Sequence, residues 1–354
     1  MVKTGVIIGN LGTPQSPSVA DVKTYLKQFL MDPYVIDKPY WFRALLVYGI
    51  IAPLRSRKSA HAYSTVWTKD GSPLLVFSQK VVKKIQARLG SDYKVVLGMR
   101  YGTPSIGQAL EEVRDCEKIL LFPQYPQYAE SSTQTWLDDA YIEIKKQNIK
   151  AQVITVSSFY QAEEYLSSLA SLVQREIEGK DIDMLLMSYH GLPERHVKKL
   201  DPSKAHCLKK ANCCDEINKN NQLCYRAHCY YVSRELARRL KLKNYQVSFQ
   251  SRLGRDPWIQ PFTDQVLEEL PKKGIKNLAV VMPAFTVDCL ETLEEINDRA
   301  REQFMKAGGE SFHAIRCLND DEEWMAQLTK LIQRSILAAS DRPNSDKTAS
   351  GGLT

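Results

Sequence analysis

The residues of this chain that could do chemistry gather where apolar runs end. The run Asp183–Ser188 leads into Ser188-Tyr189-His190-Gly191-Leu192-Pro193. A histidine there leaves the carboxyl end of a buried parallel strand on a Gly-Pro turn, where α/β proteins bind ligands. A second run, Leu278 to Met282, leads into Pro283-Ala284-Phe285-Thr286-Val287-Asp288-Cys289-Leu290-Glu291-Thr292-Leu293-Glu294-Glu295. Glu291 and Glu295 lie four apart and share a face of a helix, and Asp288, three residues before Glu291, can join them. An imidazole, with an ordinary pKa of about 6.5, is suited to take up protons. A row of carboxylates can carry protons away or hand over a hard divalent cation. Alone, His190 reads equally as a histidine satisfied in its turn, and the acids as a solvated helix start that suits the dipole; Glu294 is placed in that second role. Together the two strand ends predict one polar site in one crevice.

The elements that position these residues alternate along the chain. Strand-length apolar runs are Val6–Asn10, Lys94–Met99, Lys118–Phe122, Gln152–Val156, Asp183–Ser188, Gln246–Gln250 and Asn277–Met282. Segments with helical spacing of apolar residues lie between them, as in Ser105–Cys116, Gln161–Glu178 and Thr263–Leu270. This alternation predicts an α/β fold of parallel sheets covered by helices. The halves echo each other. Ile7-Ile8-Gly9-Asn10-Leu11-Gly12-Thr13-Pro14 is matched by Leu186-Met187-Ser188-Tyr189-His190-Gly191-Leu192-Pro193. Gly98-Met99-Arg100-Tyr101-Gly102-Thr103-Pro104 is matched by Gln250-Ser251-Arg252-Leu253-Gly254-Arg255-Asp256-Pro257, and Leu120-Leu121-Phe122-Pro123 by Val280-Val281-Met282-Pro283. Matches in the same order imply a duplicated βα lobe. We expect lobes at 1–160 and 161–339 with a ligand cleft between them, and a disordered tail at 340–354, rich in Ser, Asp, Gly and Pro.

Bulk properties narrow the classes. A length of 354 residues exceeds one ordinary core, and 44% hydrophobic with 25% charged residues is a soluble globular composition. The net charge of +7 favours an anionic substrate or membrane surface, but Lys and Arg form no long block, so nucleic acid is not expected. The first residues enter an apolar strand without the flanks of a secretory signal, and no apolar run reaches the roughly 18 residues of a spanning helix. The expected location is cytoplasmic, with the eight cysteines reduced.

Two segments stand outside this pattern. Tyr40–Leu54 is unusually apolar and is followed by Arg55, Arg57 and Lys58. It reads either as a buried helix or as an interfacial stretch that lies on a membrane surface. Cys207, Cys213, Cys214, Cys224 and Cys229 fall in a polar, Lys- and Asn-rich stretch with too little apolar content to fold by itself. A bound metal centre explains it, and thiolates favour Zn²⁺ or an iron–sulfur cluster. The expected ligands are Cys207, Cys214, Cys224 and Cys229, with Cys213 as a substitute for Cys214 and His206 or His228 as replacements for a cysteine. Cys116 and Cys317 read as core residues.

The segments Ser188–Pro193, Phe249–Trp258 and Pro283–Glu295 resemble those of ferrochelatases, and the likeness runs from about residue 3 to about residue 335. The wording Asp288-Cys289-Leu290-Glu291-Thr292-Leu293-Glu294-Glu295 is most similar to enzymes of Gram-negative bacteria. The resemblance implies two Rossmann-like lobes with porphyrin in the cleft. It implies a lyase that inserts Fe²⁺ into protoporphyrin IX and releases haem and two protons. His190 would then take pyrrole protons or help bring the metal, with Glu291 opposite and Asp288 and Glu295 behind it. Arg100 and Tyr101 match a pair that lines the pocket. Trp258 matches a pocket tryptophan; Phe285, Tyr63, Ser72 and Ser188 are expected in the pocket too, and Arg100 or Ser72 would meet the propionates. Where Cys289 stands, some ferrochelatases have histidine. Tyr40–Leu54 would be the active-site lip, through which porphyrin enters from a membrane. The cysteine insert is similar to those that hold a [2Fe–2S] cluster in some bacterial ferrochelatases, with zinc as the alternative. Monomer and homodimer both occur among such enzymes. The alternatives are a coproporphyrin or other tetrapyrrole chelatase, and a porphyrin or haem carrier, which would not need both His190 and Glu291.

Overall fold

The computed structural model describes residues 3–252, 254 and 256–340. Leu253 and Arg255 of the second strand-end echo, and the expected tail from residue 341 onward, lie outside the described residues. In chain order the elements begin with β1 (Thr4–Gly12) and α1 (Val19–Leu30). Next come α2 (Tyr40–Ala44), a π-helical segment Leu45–Ile51, α3 (Ala52–Val66) and α4 (Pro73–Leu89). They continue with β2 (Tyr93–Tyr101), α5 (Ile106–Glu112), β3 (Lys118–Pro123), α6 (Thr135–Lys146) and β4 (Gln152–Thr155). The second series runs α7 (Glu163–Ile177), β5 (Met184–His190), α8 (Glu194–Lys198), α9 (Tyr225–Leu240), β6 (Tyr245–Gln250) and α10 (Thr263–Glu269). It ends with β7 (Asn277–Val281), a π-helical segment Glu291–Ala300, α11 (Arg301–Lys306), β8 (Ser311–Ala314) and α12 (Glu322–Ser340).

Two parallel sheets of four strands result, in the orders β2-β1-β3-β4 and β6-β5-β7-β8. The order is the same in both when counted from each sheet's first strand, and the three sequence echoes fall on the first, second and third strand of each. In each sheet the chain runs from the first strand to one side, then crosses back to the other. The gap between first and third strand is therefore a switch point, where loops from the carboxyl ends part and leave room for a ligand. β8 is an addition to the expected strands: Ser311-Phe312-His313-Ala314 is short, and only Phe312 in it is buried.

The described chain forms two compact units. The first comprises residues 3–125, 130–158 and 320–340; the second comprises 126–129 and 159–319. The expected division near residue 160 thus differs at the carboxyl end, because α12 joins the first unit. Its buried face of Trp324, Met325, Leu328, Leu331 and Ile332 packs with α4. Lys84 pairs with Asp320 at 2.9 Å and with Glu322 at 2.8 Å at its start. Nothing in the apolar spacing of 322–339 says which core will receive it.

In the first unit Ile7, Val96, Ile119 and Leu121 of the sheet meet Ile106, Ala109 and Leu110 of α5 and Trp136, Leu137 and Ala140 of α6. Each of the Val, Leu and Ile side chains among them contributes about 1.5–3 kcal/mol on burial. Gly9 is required there: a Cβ would stand 2.5 Å from Trp136 Cε2, and the Trp136 indole donates to the Gly98 carbonyl at 2.9 Å. In the second unit Leu186, Leu278 and Val280 pack on Val266 and Leu267 of α10 and on Ile296, Ala300 and Phe304.

Candidate active site

His190 is the last residue of β5, half-buried, at the switch point of the second unit. Its Nδ1 lies 2.7 Å from the Gly191 carbonyl oxygen. A carbonyl only accepts, so Nδ1 is the donor, and Nε2 is the ring nitrogen turned to other partners. Phe285, from the loop after β7, lies edge-on to the imidazole with ring centroids 6.4 Å apart. Gly191 is where the chain passes closest to its neighbours: a Cβ would meet the Gln250 carbonyl at 2.8 Å and Trp258 Cε3 at 3.3 Å. Trp258 thus stands beside the histidine turn, and its backbone bridges to Pro193.

Glu291 opens the segment Glu291–Ala300, whose i→i+5 bonds make it a π-helix. Such helices are rare and recur at functional sites. With more residues per turn than an α-helix, side chains four apart come closer to eclipse, which strengthens the expected pairing of Glu291 with Glu295. Burial pushes the Glu295 carboxyl above its ordinary value, and Glu291 adds to the rise. The Ser251 hydroxyl, which donates to Glu295 Oε2, and the field of His190 oppose it. Glu295 therefore lies within the influence of both His190 and Glu291. Glu294 pairs with Arg299 at 2.9 Å, five residues on, and is only 18% exposed, less solvated than expected. Cys289 is buried, and burial raises its thiol.

Asp288 has a different setting from its neighbours. It is 4% exposed and accepts from Asn319 Nδ2 at 2.6 Å, Thr292 Oγ1 at 2.9 Å and the Cys317 amide at 3.2 Å. Its own amide donates to Asn319 Oδ1 at 2.8 Å. These bonds tie the start of the glutamate helix to the chain after β8. Gln250 ties the other side: its Nε2 donates to the Glu291 carbonyl at 3.0 Å and its Oε1 accepts from Ser188 at 2.7 Å. Ser188 is wholly buried and also bonded to Thr263 at 2.9 Å, so it supports the site from beneath instead of lining it. Sequence reading missed Gln250 and Asn319; their polar side chains at a strand end and after one were the available signal.

In the first unit Arg100 and Tyr101 end β2 and converge on a residue that sequence reading also missed. Asp32 Oδ2 accepts from Arg100 Nη2 at 2.8 Å, Tyr101 OH at 2.8 Å and Thr135 Oγ1 at 2.5 Å. Burial, and then the Asp32 charge, push the Tyr101 phenol far up, so it stays neutral. Tyr101 is 3% exposed, and its ring lies among Tyr25 and Phe29. Tyr63 packs edge-on to Tyr25 and Trp67. Ser72, the residue before α4, is buried and accepts from Thr13 Oγ1 at 2.8 Å.

The apolar stretch 40–54 is not a buried helix. Its inner face, through Val47, joins Leu30 and Ile36 in a small core, while Tyr40, Trp41, Leu45, Tyr48, Ile50 and Leu54 are exposed. Arg43 is turned inward, donating to the carbonyls of Ile36 at 3.2 Å and Lys38 at 2.8 Å. Arg55, Arg57 and Lys58 are exposed beside the apolar face. Among the described residues no helix is long and apolar enough to cross a membrane.

In the insert all five thiols are buried, and all eight cysteines of the chain are free. Cys224 is hydrogen-bonded to Cys207 and Cys214, and Cys213 Sγ lies 3.7 Å from Cys214 Sγ. The bond with Cys224 and the nearby Arg226 guanidinium, 3.2 Å from Cys214 Sγ, bring the Cys214 thiol down to about 6. Cys229 lies on α9, bonded to Tyr225 and within the field of Cys214. His206 and His228 are committed elsewhere. His206 Nε2 lies 3.0 Å from the Cys213 carbonyl. His228 accepts from the Tyr128 amide at 3.3 Å, donates to the Gln222 carbonyl at 2.8 Å and stacks on Tyr160 at 3.8 Å. Polar knots fold the stretch: Asp201 accepts from the amides of His206 at 2.7 Å and Cys207 at 2.9 Å. Asn221 Nδ2 donates to the carbonyls of Cys213 and Glu216, each at 2.8 Å. Among the described residues no three His, Cys, Asp or Glu side chains are grouped to hold a metal ion. Cys116 and Cys317 are core residues as expected.

The fold is shared with solved chelatases. SirB from Bacillus subtilis with Fe³⁺ aligns with TM-score 0.56 at 8% identity, covering 96% of this chain and 98% of that one. A sirohydrochlorin chelatase SirB from Bacillus subtilis subspecies spizizenii, in complex with cobalt, aligns with TM-score 0.52 at 7% identity, covering 94% and 95%. In sequence, the ferrochelatase family profile matches residues 3–336. A ferrochelatase of Legionella pneumophila is 45% identical over 337 residues, 95% of this chain and all of that protein. One of Pseudomonas fluorescens is 44% identical over 343 residues, 96% of this chain and all of that protein, and one of Coxiella burnetii 43% over 338, 94% of each. With this coverage and identity, the chain belongs to the ferrochelatase family.

Proposed function

We propose that His190, with Glu291 and Glu295, carries out the insertion of Fe²⁺ into protoporphyrin IX, the haem-forming reaction of the ferrochelatase family. Two pyrrole N–H bonds break, the iron gains four nitrogens, and two protons leave. The observation that carries the reading is the contact of His190 Nδ1 with the Gly191 carbonyl at 2.7 Å, which leaves Nε2 as the nitrogen that would take a pyrrole proton or meet the incoming metal. Glu291 and Glu295 are then the route by which protons leave or metal arrives, and the raised Glu295 carboxyl is the member best able to hold a proton in passing. Asp288 belongs to the same apparatus as the anchor of the glutamate helix. Trp258 and Phe285 offer flat apolar surface to the macrocycle, and Arg100 offers a cation to a propionate. Tyr101 lies beneath the Arg100 guanidinium, and Tyr63 and Ser72 complete the proposed set of pocket residues.

The exposed face of residues 40–54, backed by Arg55, Arg57 and Lys58, suits peripheral attachment to a membrane on the cytoplasmic side, from which an apolar porphyrin would enter. The insert suits a [2Fe–2S] cluster in its donor chemistry: buried thiols close together, one of them bonded to the half-buried Arg226 guanidinium. Cys207, Cys214, Cys224 and Cys229 would hold it, with Cys213 as the substitute for Cys214, and when bound it supplies a one-electron redox couple. Zinc, a coproporphyrin substrate and a non-catalytic carrier are the competing readings.

An absorption spectrum of protein purified without air, followed by addition of Fe²⁺ and protoporphyrin IX, separates them. Visible bands with iron and sulfide in proportion, then catalytic growth of a haem spectrum, are expected. Colourless protein holding zinc would replace the cluster. Porphyrin binding without metal insertion would replace the enzyme by a carrier. His190→Ala should abolish turnover and keep porphyrin binding; unchanged turnover refutes the assignment.

A further inference from the structure

The polar groups at the end of β2 meet at a buried carboxylate with no place in the site described so far. We propose that Asp32, with Thr135, is a positioning residue that holds the Arg100 guanidinium in one orientation for an anionic carboxylate of the substrate. This rests on the reading of Arg100 as a substrate contact.

Asp32 follows Met31, the C-cap of α1, and its side chain is 1% exposed. The Tyr34 amide donates to its Oδ1 at 2.7 Å, which fixes the carboxylate plane. Oδ2 then takes Arg100 Nη2, Tyr101 OH and Thr135 Oγ1. Arg100 is held at a second point, by Nε donating to Thr135 Oγ1 at 2.8 Å, and its plane lies over the Tyr101 ring at 4.8 Å. The Nε–Nη2 edge is thereby used inside the protein. Nη1 faces only the Asp139 carboxylate among the described residues, at 3.7 Å, beyond hydrogen-bond distance. The arginine is 21% exposed, so this remaining end is the one a ligand can reach. A guanidinium with one edge satisfied and one end open binds a carboxylate without first giving up rotamer freedom. Asp32 also cancels the buried charge, so its contribution is orientation, not net attraction.

The test is a double-mutant cycle on iron insertion: wild type, Asp32→Asn, Arg100→Leu and the pair, with kcat/KM for porphyrin and the thermal midpoint measured for each. If Asp32 acts through Arg100, Asp32→Asn lowers kcat/KM about tenfold in the native background and has no further effect beside Arg100→Leu. Equal losses in both backgrounds overturn the proposal, because a merely structural role is additive. Should Asp32→Asn fold poorly, Thr135→Val removes the Nε acceptor by a smaller change and must show the same dependence on Arg100. If Arg100→Leu itself leaves kcat/KM unchanged, the reading of Arg100 as a substrate contact fails and takes the proposal with it. The Arg100 variant alone therefore separates the two failures.

Discussion

Replacing Asp288 by alanine tests whether this carboxylate anchors the glutamate helix. The substitution removes the acceptor of bonds from Asn319 Nδ2, Thr292 Oγ1 and the Cys317 amide at a position 4% exposed. Thr292 keeps a second acceptor, the Cys289 carbonyl at 3.2 Å, so the loss falls on the Asn319 amide and the Cys317 N–H. A stranded buried donor costs about 1–3 kcal/mol, so Asp288→Ala should lose about 3–4 kcal/mol. Asp288→Asn keeps the shape and one carbonyl but sets an amide NH₂ against that of Asn319, and should lose about half as much. Urea unfolding of wild type and both variants gives the numbers, from midpoints at unchanged slope. Iron insertion is then measured on folded Asp288→Asn, where turnover should fall only severalfold because the glutamates remain. An unchanged urea midpoint for Asp288→Ala would refute the anchoring arithmetic. A fully stable Asp288→Asn that had lost its turnover would place Asp288 in the chemical path instead.

Three further outcomes follow from the same geometry. Because the Glu295 carboxyl is raised by burial, the folded protein is stabilised below the ordinary carboxylate range and loses that stabilisation as pH rises through the raised value. Glu295→Gln should therefore be more stable than wild type at neutral pH, lose that advantage in acid and insert iron more slowly; equal urea midpoints at both pH values count against it. Gly191→Ala forces a Cβ to 2.8 Å from the Gln250 carbonyl and displaces Trp258, so KM for porphyrin should rise about tenfold. An unaltered KM means that Trp258 does not touch the substrate. Trp41 and Leu54 are 69% and 75% exposed, and changing both to serine should weaken binding to anionic phospholipid vesicles by about two orders of magnitude, read by sedimentation. Retained binding assigns the attachment elsewhere.

The sequence by itself determined the two parallel sheets, because buried strands read as continuous apolar runs and the halves repeat their order. It placed His190, Glu291 and Glu295, since strand-end position and four-residue spacing are local properties. It also located the thiol-rich insert, which polar composition set apart. What it lacked was long-range partnership. Asp32 with Arg100, Asp288 with Asn319 and Gln250 with the Glu291 carbonyl join residues 68, 31 and 41 positions apart, and no local spacing encodes such pairs. The place of α12 depended on which core its apolar face meets. Exposure of residues 40–54 was undecided for the same reason: an apolar run states that it avoids water, and only the tertiary structure decides what shields it. Backbone periodicity and composition act within a few residues and are written in the chain. Burial, buried hydrogen bonds and raised carboxyl groups arise only when distant segments close on one another.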